Sequence, residues 1–201
     1  MVSRVHWRAL KENKMNQELT NKLYEKYPKI FRQKDLSMQE TLMCWGFECG
    51  DGWYNIIDTL CHLIQQRIDQ PHKDIEMYEG WIQEHIEDPK PEKLFENGSG
   101  NTGRIPGSEE LIANYKERIE QEKKKIIPQV EAVQVKEKYG TLRFYVNEYN
   151  DTIRNFISFA ESMSACTCES CGRPGEVNNI GWISTLCEDC REKRNNRHKE
   201  A

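Results

Sequence analysis

The chain has 201 residues, of which 37% are hydrophobic and 31% are charged, and its formal net charge is −4 at pH 7. This length suits one ordinary domain, or one domain with a small addition. The low apolar fraction predicts at least one solvated element that extends from the core. The mild negative charge argues against a protein that mainly coats nucleic acid, because that role needs many Lys and Arg side chains to displace counterions.

The distribution of apolar residues argues against a membrane-spanning or secreted chain. No run of about 18 apolar residues occurs, so no segment is expected to span a membrane. The N-terminus, with Arg4, His6 and Arg8, lacks the apolar stretch of a secretion signal. We therefore expect a cytoplasmic protein whose eight cysteines are reduced thiols or metal ligands rather than disulfides.

The first part of the core, residues 1–68, is predicted to be helical. Asn16 is the predicted N-cap of a helix over residues 16–27. The S-x-x-E pattern that begins at Ser37 is a capping box and predicts a short second helix. The apolar stripe of this second helix would consist of Met38, Leu42 and Trp45. A long amphipathic helix is predicted to begin near Trp53.

The segment between these helices, residues 44–54, holds four aromatic residues, two acids and three glycines. Such a loop can form an aromatic-walled pocket, and glycines let a ligand approach the backbone closely. The candidate residues for binding a ligand or partner are Trp45, Phe47, Glu48, Asp51, Trp53 and Tyr54. The alternative interpretation is that the aromatic residues belong to the core and the glycines permit a sharp turn.

Two further groupings of residues near this segment have side chains that could carry chemistry. A second metal site could be formed by Cys44, Cys49, Cys61 and His62. Their irregular spacing instead favours the interpretation that the cysteines are buried thiols. His62 and Asp58 lie one helical turn apart and suit either an acid–base pair or plain hydrogen bonding. No nucleophile motif, phosphate loop or paired-carboxylate pattern is recognisable, so no catalytic residue is predicted and an enzyme is not expected.

Residues 69–127 are predicted to form a charged helical-hairpin insertion. Residues 69–125 hold 14 acidic and nine basic residues, which accounts for the negative balance of the chain. Apolar residues at helical spacing predict one helix around Tyr78 and another around Tyr115. Residues 88–108, rich in Gly and Pro, are predicted to be a flexible loop between them. The insertion either protrudes or extends the core helices.

Residues 128–165 change to the period of a strand. Alternating apolar residues predict two strands, one beginning near Val130 and one that includes Phe144. The turn Tyr139-Gly140-Thr141 joins them into a β-hairpin. Asn150 or Asp151 is the predicted cap of a following helix. Its inward residues would be Ile153, Phe156, Ile157, Ala160 and Met163.

Residues 166–201 are predicted to form a zinc ribbon with a basic tail. Its four ligands would be Cys168, Cys171, Cys187 and Cys190, which are spaced C-x2-C-x15-C-x2-C as in four-thiolate zinc sites. A two-residue gap lets both sulfurs of a pair bind one ion at about 2.3 Å. One structural zinc is predicted, because four cysteines leave no open position for a substrate. Cys166 is an alternative ligand in place of Cys168.

The remainder of the ribbon contains one predicted strand and the basic tail. The strand is predicted at residues 182–186. The candidates for contact with nucleic acid are Arg191, Lys193, Arg194 and Arg197. The alternative is that these cations form a solvated helix end that balances the acidic ribbon.

Several motifs carry a resemblance to a known family. They are LYEKYP at residues 23–28, SMQETLMCWGFECGDGW at 37–53, VKEKYGTLRFY at 135–145 and AESMS at 160–164, before the cysteines. In these the chain resembles a family of small bacteriophage-encoded proteins of unknown function with a C-terminal four-cysteine zinc ribbon. The resemblance leaves out residues 69–125, which look like a variable insertion. It implies a phage accessory protein in the cytoplasm of an infected bacterium, a class that often binds host proteins or sequesters host signals.

The predicted fold class is α+β, with an N-terminal helical layer, a central β-hairpin plus helix, and a C-terminal zinc ribbon. The predicted function is a non-enzymatic, zinc-containing binding protein that interferes with a host defence factor, so that a host protein is the expected partner. One alternative is a small-molecule binder that takes up a nucleotide signal at residues 45–53. The other is a nucleic-acid-binding accessory protein. No membrane partner is expected, and the sequence leaves the oligomeric state open.

Overall fold

A computed structural model describes residues 14–178 and 183–199, with side chains described as far as residue 196. Contacts divide the chain into two units. Unit 1 combines the residues up to Gln65 with those from Gln129 onward, and unit 2 is the continuous stretch Gln66–Pro128. The predicted four-part division of the chain stays a prediction.

The first helix of unit 1 within the described residues is α1, Gln17–Lys26, as the sequence predicted. The side chain of Asn16 caps it by accepting a hydrogen bond from the Leu19 N–H, at 2.9 Å. Both the backbone N–H and the side-chain amide of Asn16 donate to the carboxylate of Asp51, at 2.7 and 2.8 Å. Leu23 is fully buried. The start of α1 is thus fixed by a residue from a distant turn.

The predicted helix at Ser37 is wrong. Half of the capping box forms, because the Ser37 backbone N–H donates to the Glu40 carboxylate at 3.2 Å, and the Ser37 hydroxyl also donates to it at 2.7 Å. The chain nevertheless makes only turns there, between the 3-10 helices Arg32–Asp35 and Met43–Trp45. Thr41 explains the difference, since its hydroxyl accepts from the Met43 N–H and donates to the Val133 carbonyl. All three residues of the predicted apolar stripe are exposed: Met38, Leu42 and Trp45.

Unit 1 contains a three-stranded sheet in the order β1-β4-β5. Strand β1, Phe47–Glu48, pairs in parallel with β4, Ala132–Lys138, which pairs antiparallel with β5, Thr141–Val146. The predicted hairpin is therefore confirmed. At its turn, Tyr139 and Gly140 have φ of 53° and 79°, the pattern of a type I′ turn. Strand β1 was not predicted, because two residues are too short to show a period.

Helix α2, Tyr54–Glu87, is continuous through Pro71, whereas the sequence suggested separate helices on either side of it. Its stripe of buried residues stays in phase through Ile64, Ile68 and Pro71, which accounts for the continuity. The part of α2 that lies in unit 1 carries the fully buried Ile57.

Helix α4, Asp151–Ser164, covers the outer edge of β5. Asn150 caps it as predicted. The hydroxyl of Ser164 accepts from the Leu142 N–H at 2.8 Å, and the carboxylate of Glu161 accepts from the Phe144 N–H at 3.1 Å. These two side chains satisfy donors that an edge strand leaves open. Met163, which was predicted to point inward, is 40% exposed, whereas the adjacent Ser164 is fully buried.

Unit 2 contains the rest of α2, the hairpin of β2 and β3, and helix α3. Strand β2, Lys93–Glu96, pairs antiparallel with β3, Thr102–Ile105, and α3 covers Ser108–Lys123. The sequence predicted a flexible loop here. The hairpin forms because the Asn97 N–H donates to the Asn101 carbonyl and closes the turn at 2.9 Å. Aromatic rings from α2 and α3 pack within this unit: Tyr78, Trp81 and Tyr115.

The structure confirms the α+β fold class. Helices and small sheets alternate, and the cysteine cluster lies at the C-terminal end of the chain. The ribbon supplies β6, Glu176–Asn178, which pairs antiparallel with β7, Ser184–Leu186, followed by helix α5, Glu188–Lys199. Within the part of the chain that the structure describes, each helix is too short or too polar to cross a membrane.

Candidate metal centre

Four thiols converge in the C-terminal ribbon. They belong to Cys168, Cys171, Cys187 and Cys190, and their sulfur atoms all lie within 4.8 Å of one another. The Sγ atoms of Cys171 and Cys187 are 3.6 Å apart. A tetrahedral ion with metal–sulfur distances of about 2.3 Å places its sulfurs about 3.8 Å apart. The cluster could therefore hold one metal ion, and its geometry fits zinc.

The first cysteine loop, residues 167–172, is shaped by backbone hydrogen bonds. The Gly172 N–H donates to the Cys168 carbonyl at 2.8 Å, and the Cys168 N–H donates to the Arg173 carbonyl at 2.7 Å. Gly172 has φ of +77°, a conformation that favours glycine. The loop thus turns both of its thiols to one side.

The second pair of thiols lies where β7 meets α5. Cys187 precedes the helix, and its carbonyl accepts from the Arg191 N–H at 3.0 Å, while Cys190 lies in the first turn. A helix N-terminus favours negative charge, which suits thiolates. The predicted strand at 182–186 is present as β7, while Trp182 lies outside the described residues.

Cys166 stands apart from the cluster. It is exposed, and its thiol contacts the Met163 carbonyl at 3.2 Å. The ligand group contains Cys168 rather than Cys166.

Arg173 lies against the exposed side of the cluster. Its Nε and Nη2 donate to the Sγ atoms of Cys171 and Cys187, both at 3.4 Å, and Nη2 also binds Asp189 at 2.8 Å. Partial burial opposes ionisation of Cys171, but these donors and the neighbouring thiols together lower its pKa to about 6. Partial burial raises the pKa of Cys190 to about 12. A metal ion would therefore displace a proton from Cys190 at neutral pH.

The glycine–tryptophan segment, residues 50–53, packs directly on the first cysteine loop. The Gly52 N–H donates to the Glu169 carbonyl at 2.7 Å, and the Trp53 indole N–H donates to the Thr167 carbonyl at 2.8 Å. A Cβ on Gly52 would overlap the Cys168 carbonyl oxygen. The glycine is thus required by a close approach of two backbones, which the sequence could not reveal.

Glu169 is a buried carboxyl in the same contact. It is 3% exposed, and one carboxylate oxygen accepts from the Gly50 N–H at 3.0 Å. Burial raises its pKa to about 7, although the Gly50 donor acts in the opposite direction. From sequence this residue looked like part of an acidic ribbon surface.

The six candidates for ligand binding at residues 45–54 contact the chain's own residues. Phe47 stacks with Tyr24 in the core, Trp53 is fully buried, and Asp51 fixes the start of α1. Glu48 accepts from Gln134 at 3.2 Å.

The other two candidates are more accessible. Trp45 is 47% exposed beneath the Lys14 ammonium, and Tyr54, at the start of α2, is half-buried. The ligand-binding hypothesis stays a prediction, and the contacts of Phe47, Glu48, Asp51 and Trp53 explain these four residues without a ligand.

The other cysteines have no comparable grouping. Cys49 and Cys61 are buried, and burial raises the pKa of both thiols well above the ordinary value. The Cys44 thiol contacts the Thr41 carbonyl. Across residues 14–178 and 183–199, one group of three or more potential ligands is close enough to hold an ion, and it is the C-terminal cluster.

The candidate nucleic-acid residues divide between the ribbon and its surface. Arg191 donates to the carbonyls of Glu176 and Leu186. Arg194 is half-buried, and burial lowers its pKa while the nearby Glu169 acts in the opposite direction. Lys193 is exposed, and the side chain of Arg197 lies outside the described residues. Two of the four cations thus support the ribbon, and nucleic-acid binding stays a prediction.

Comparison of the chain with protein families, curated proteins and solved structures finds no match. The resemblance to phage-encoded proteins therefore rests on the sequence motifs alone. What the structure adds is the four-cysteine cluster and its attachment to the core.

Proposed function

We propose that this chain is a zinc-containing binding protein without catalytic activity, in which zinc holds the ribbon and the N-terminal half of unit 1 together. The observation that carries the proposal is the convergence of four thiols within 4.8 Å. Four thiolates fill a tetrahedral shell, so no coordination position is left for a water or substrate. All-sulfur tetrahedral sets select zinc or iron–sulfur chemistry, and the paired C-x2-C spacing is typical of zinc.

Native mass spectrometry of the purified protein tests the metal. We expect one zinc per chain in the wild type and in Cys166→Ser, whose thiol lies outside the cluster. Cys187→Ser should lose the zinc and melt at a lower temperature, because three thiolates bind the ion less tightly. Equal zinc content and melting temperature in Cys187→Ser would show that the cluster is not the metal site.

The hairpin of β2 and β3 supports a protein as the binding partner. Leu94 is 78% exposed, and Phe95 and Ile105 are about half exposed, so three large apolar side chains face solvent on eight strand residues. Exposed apolar groups concentrated in this way mark interaction surfaces. Phe95 and Ile105 lie on one face of this two-stranded sheet and Leu94 lies on the other, so the exposed apolar groups cover both faces of the hairpin. Together these three residues are called the hairpin patch.

Charge favours a basic partner for the hairpin patch. Residues 69–125 carry 14 acidic and nine basic residues, so a second copy of the chain would bring like charges together. A partner with basic groups around an apolar contact would be complementary. The motifs shared with phage-encoded proteins favour a host protein as this partner, and a defence factor is the specific hypothesis.

Capture from a bacterial lysate tests the hairpin patch when it is combined with matched variants. Leu94→Asp, alone and with Ile105→Asp, should reduce capture of the partner at least tenfold, because apolar anchors dominate such interfaces. Met38→Asp changes an exposed apolar residue of unit 1 and should capture as much as the wild type. Equal capture by all variants would refute the hairpin patch, and self-association lost on Leu94→Asp would identify a second copy instead.

A further inference from the structure

The four thiols differ in their protection from solvent. Cys168 is fully buried, whereas Cys171 is exposed and both Cys187 and Cys190 are partly exposed. The buried side is covered by residues 50–53, whose backbone approaches the first cysteine loop. Any reagent that removes the ion would therefore approach from the side of Cys171, Cys187 and Cys190.

We propose that Arg173 is the positioning residue that retains the metal ion, because its guanidinium bridges two of the three accessible thiolates, those of Cys171 and Cys187, and anchors to Asp189. The proposal rests on the metal site put forward above. The proposal adds Arg173 to that site and gives this residue the role of retaining the ion without being a ligand. Arg173 acts through Cys171 and Cys187.

The geometry uses three of the guanidinium donors in different directions. Nε reaches the Sγ of Cys171 and Nη2 reaches the Sγ of Cys187, each at 3.4 Å, within the range of N–H···S bonds. The bond from Nη2 to Asp189, at 2.8 Å, fixes the plane of the group. A lysine offers one compact charge and could not span the two sulfurs and the carboxylate together.

The backbone holds Arg173 in place independently of its side chain. Its carbonyl accepts from the Cys168 N–H at 2.7 Å, and Gly172, with φ of +77°, turns the chain just before it. The same short stretch thus holds the buried Cys168 through the backbone and contacts two accessible thiols, Cys171 and Cys187, through the guanidinium.

The positive charge of Arg173 offsets the negative charge expected at the occupied cluster. A zinc ion with four thiolates carries a net charge of about −2. Glu169, Glu188 and Asp189 add acidic groups in or beside the two cysteine pairs. A cation in contact with two of the sulfurs offsets this charge and disfavours the first step of metal loss, in which one thiolate leaves the ion. Side chains that support metal ligands in this way typically change metal affinity by 10–100-fold.

The test is competition for zinc with the chromogenic chelator 4-(2-pyridylazo)resorcinol, on the full chain. Arg173→Ala should release zinc to the chelator with an affinity about 10–100-fold weaker than the wild type, and Arg173→Lys should fall between them. Arg154→Ala removes an exposed arginine that pairs with Asp151 on α4 and should match the wild type.

Cobalt substitution supplies a readout that a purely structural role would not move. Replacing zinc by Co²⁺ gives sulfur-to-metal charge-transfer absorption, which should shift in Arg173→Ala because the sulfurs lose their N–H donors. Asp189→Asn leaves all the thiols and the arginine in place and should weaken zinc retention in the same direction by a smaller factor. This second variant tests the proposal even if Arg173→Ala misfolds.

The outcomes separate the two proposals. If the wild type holds no zinc, the proposed metal site itself is wrong. If the wild type holds zinc but Arg173→Ala matches it in chelator competition and in the cobalt spectrum, the site stands and the role of Arg173 is refuted.

Discussion

At the residue scale, Gly50 and Gly52 connect the two ends of unit 1. At Gly50 an added Cβ would lie 2.5 Å from the Glu169 carbonyl oxygen, and at Gly52 it would overlap the Cys168 carbonyl. Neither position depends on an unusual backbone angle. The glycines are needed because another backbone occupies the space where a side chain would be.

Gly52→Ala should therefore destabilise unit 1. Relieving the overlap must move the first cysteine loop, and core overpacking of this kind costs about 1–3 kcal/mol. Urea denaturation followed by circular dichroism measures the loss. Gly80→Ala is the matched control, since an added Cβ meets nothing within 4 Å in the interior of α2 and should stabilise by about 0.5–1 kcal/mol. Equal stability of Gly52→Ala and the wild type would contradict the close contact.

At the level of single residues, the sequence predicted only those features that depend on neighbouring positions. The Asn16 cap and the cysteine spacing were predictable because each depends on a few neighbouring positions. Glu169 was not, since its burial arises from residues more than 100 positions away. Thr41 likewise ends a predicted helix through a contact with Val133 that no local pattern encodes.

At the element scale, strand β5 depends on a side chain from α4. Ser164 is fully buried and its hydroxyl accepts from the Leu142 N–H, so Ser164→Ala leaves a buried donor without its acceptor. We expect a loss of about 1–3 kcal/mol in the free energy of unfolding, measured by chemical denaturation. Ser162→Ala, on the exposed face of the same helix, should change it by less than about 0.5 kcal/mol. Similar effects for both variants would argue against the edge contact.

A substitution in the turn between β4 and β5 is expected to stabilise the protein, unlike Ser164→Ala. Tyr139 is 68% exposed and has φ of 53°, a conformation that costs a non-glycine residue about 1–2 kcal/mol but that Asn tolerates better. Tyr139→Asn creates the Asn-Gly pair that type I′ turns prefer and should raise the melting temperature.

Tyr149→Asn is the control for this turn, because Tyr149 is also exposed and its φ is not positive. A melting temperature that falls for Tyr139→Asn would contradict the assigned turn.

Elements with a clear period or cap were predicted, and those formed by pairing were not. The β4–β5 hairpin and α4 each carry a pattern over six or more residues. Strand β1 exists only because β4 lies beside it, and the β2–β3 hairpin was hidden by its glycines. Pro71 also masked the continuity of α2, since proline usually ends a helix.

At the scale of the whole molecule, metal loss should affect the two units differently. The first cysteine loop supports residues 50–53, so removal of the proposed zinc with a chelator should speed amide hydrogen exchange at Gly50, Gly52 and the hairpin turn at Gly140. The N–H of Gly50 and of Gly52 donates to Glu169, and the Thr185 hydroxyl of the ribbon donates to the Gly140 carbonyl.

Helix α3 belongs to unit 2 and should exchange at the same rate with and without metal. Hydrogen–deuterium exchange with peptide-level mass spectrometry measures both regions in one experiment. If the protection of residues 50–53 from exchange is the same before and after metal removal, the cluster does not support the core.

The interruption of unit 1 by unit 2 has a consequence for synthesis on the ribosome. The indole N–H of Trp53 can donate to the Thr167 carbonyl only after Thr167, which follows 114 residues later, has been synthesised. At a translation rate of about 5–20 residues per second, the delay is roughly 6–23 seconds. Unit 2 is continuous and emerges within that interval, so it can complete its own contacts first. If the cluster holds zinc as proposed, its metal shell would be completed only when Cys190, the last of the four ligands, has been synthesised.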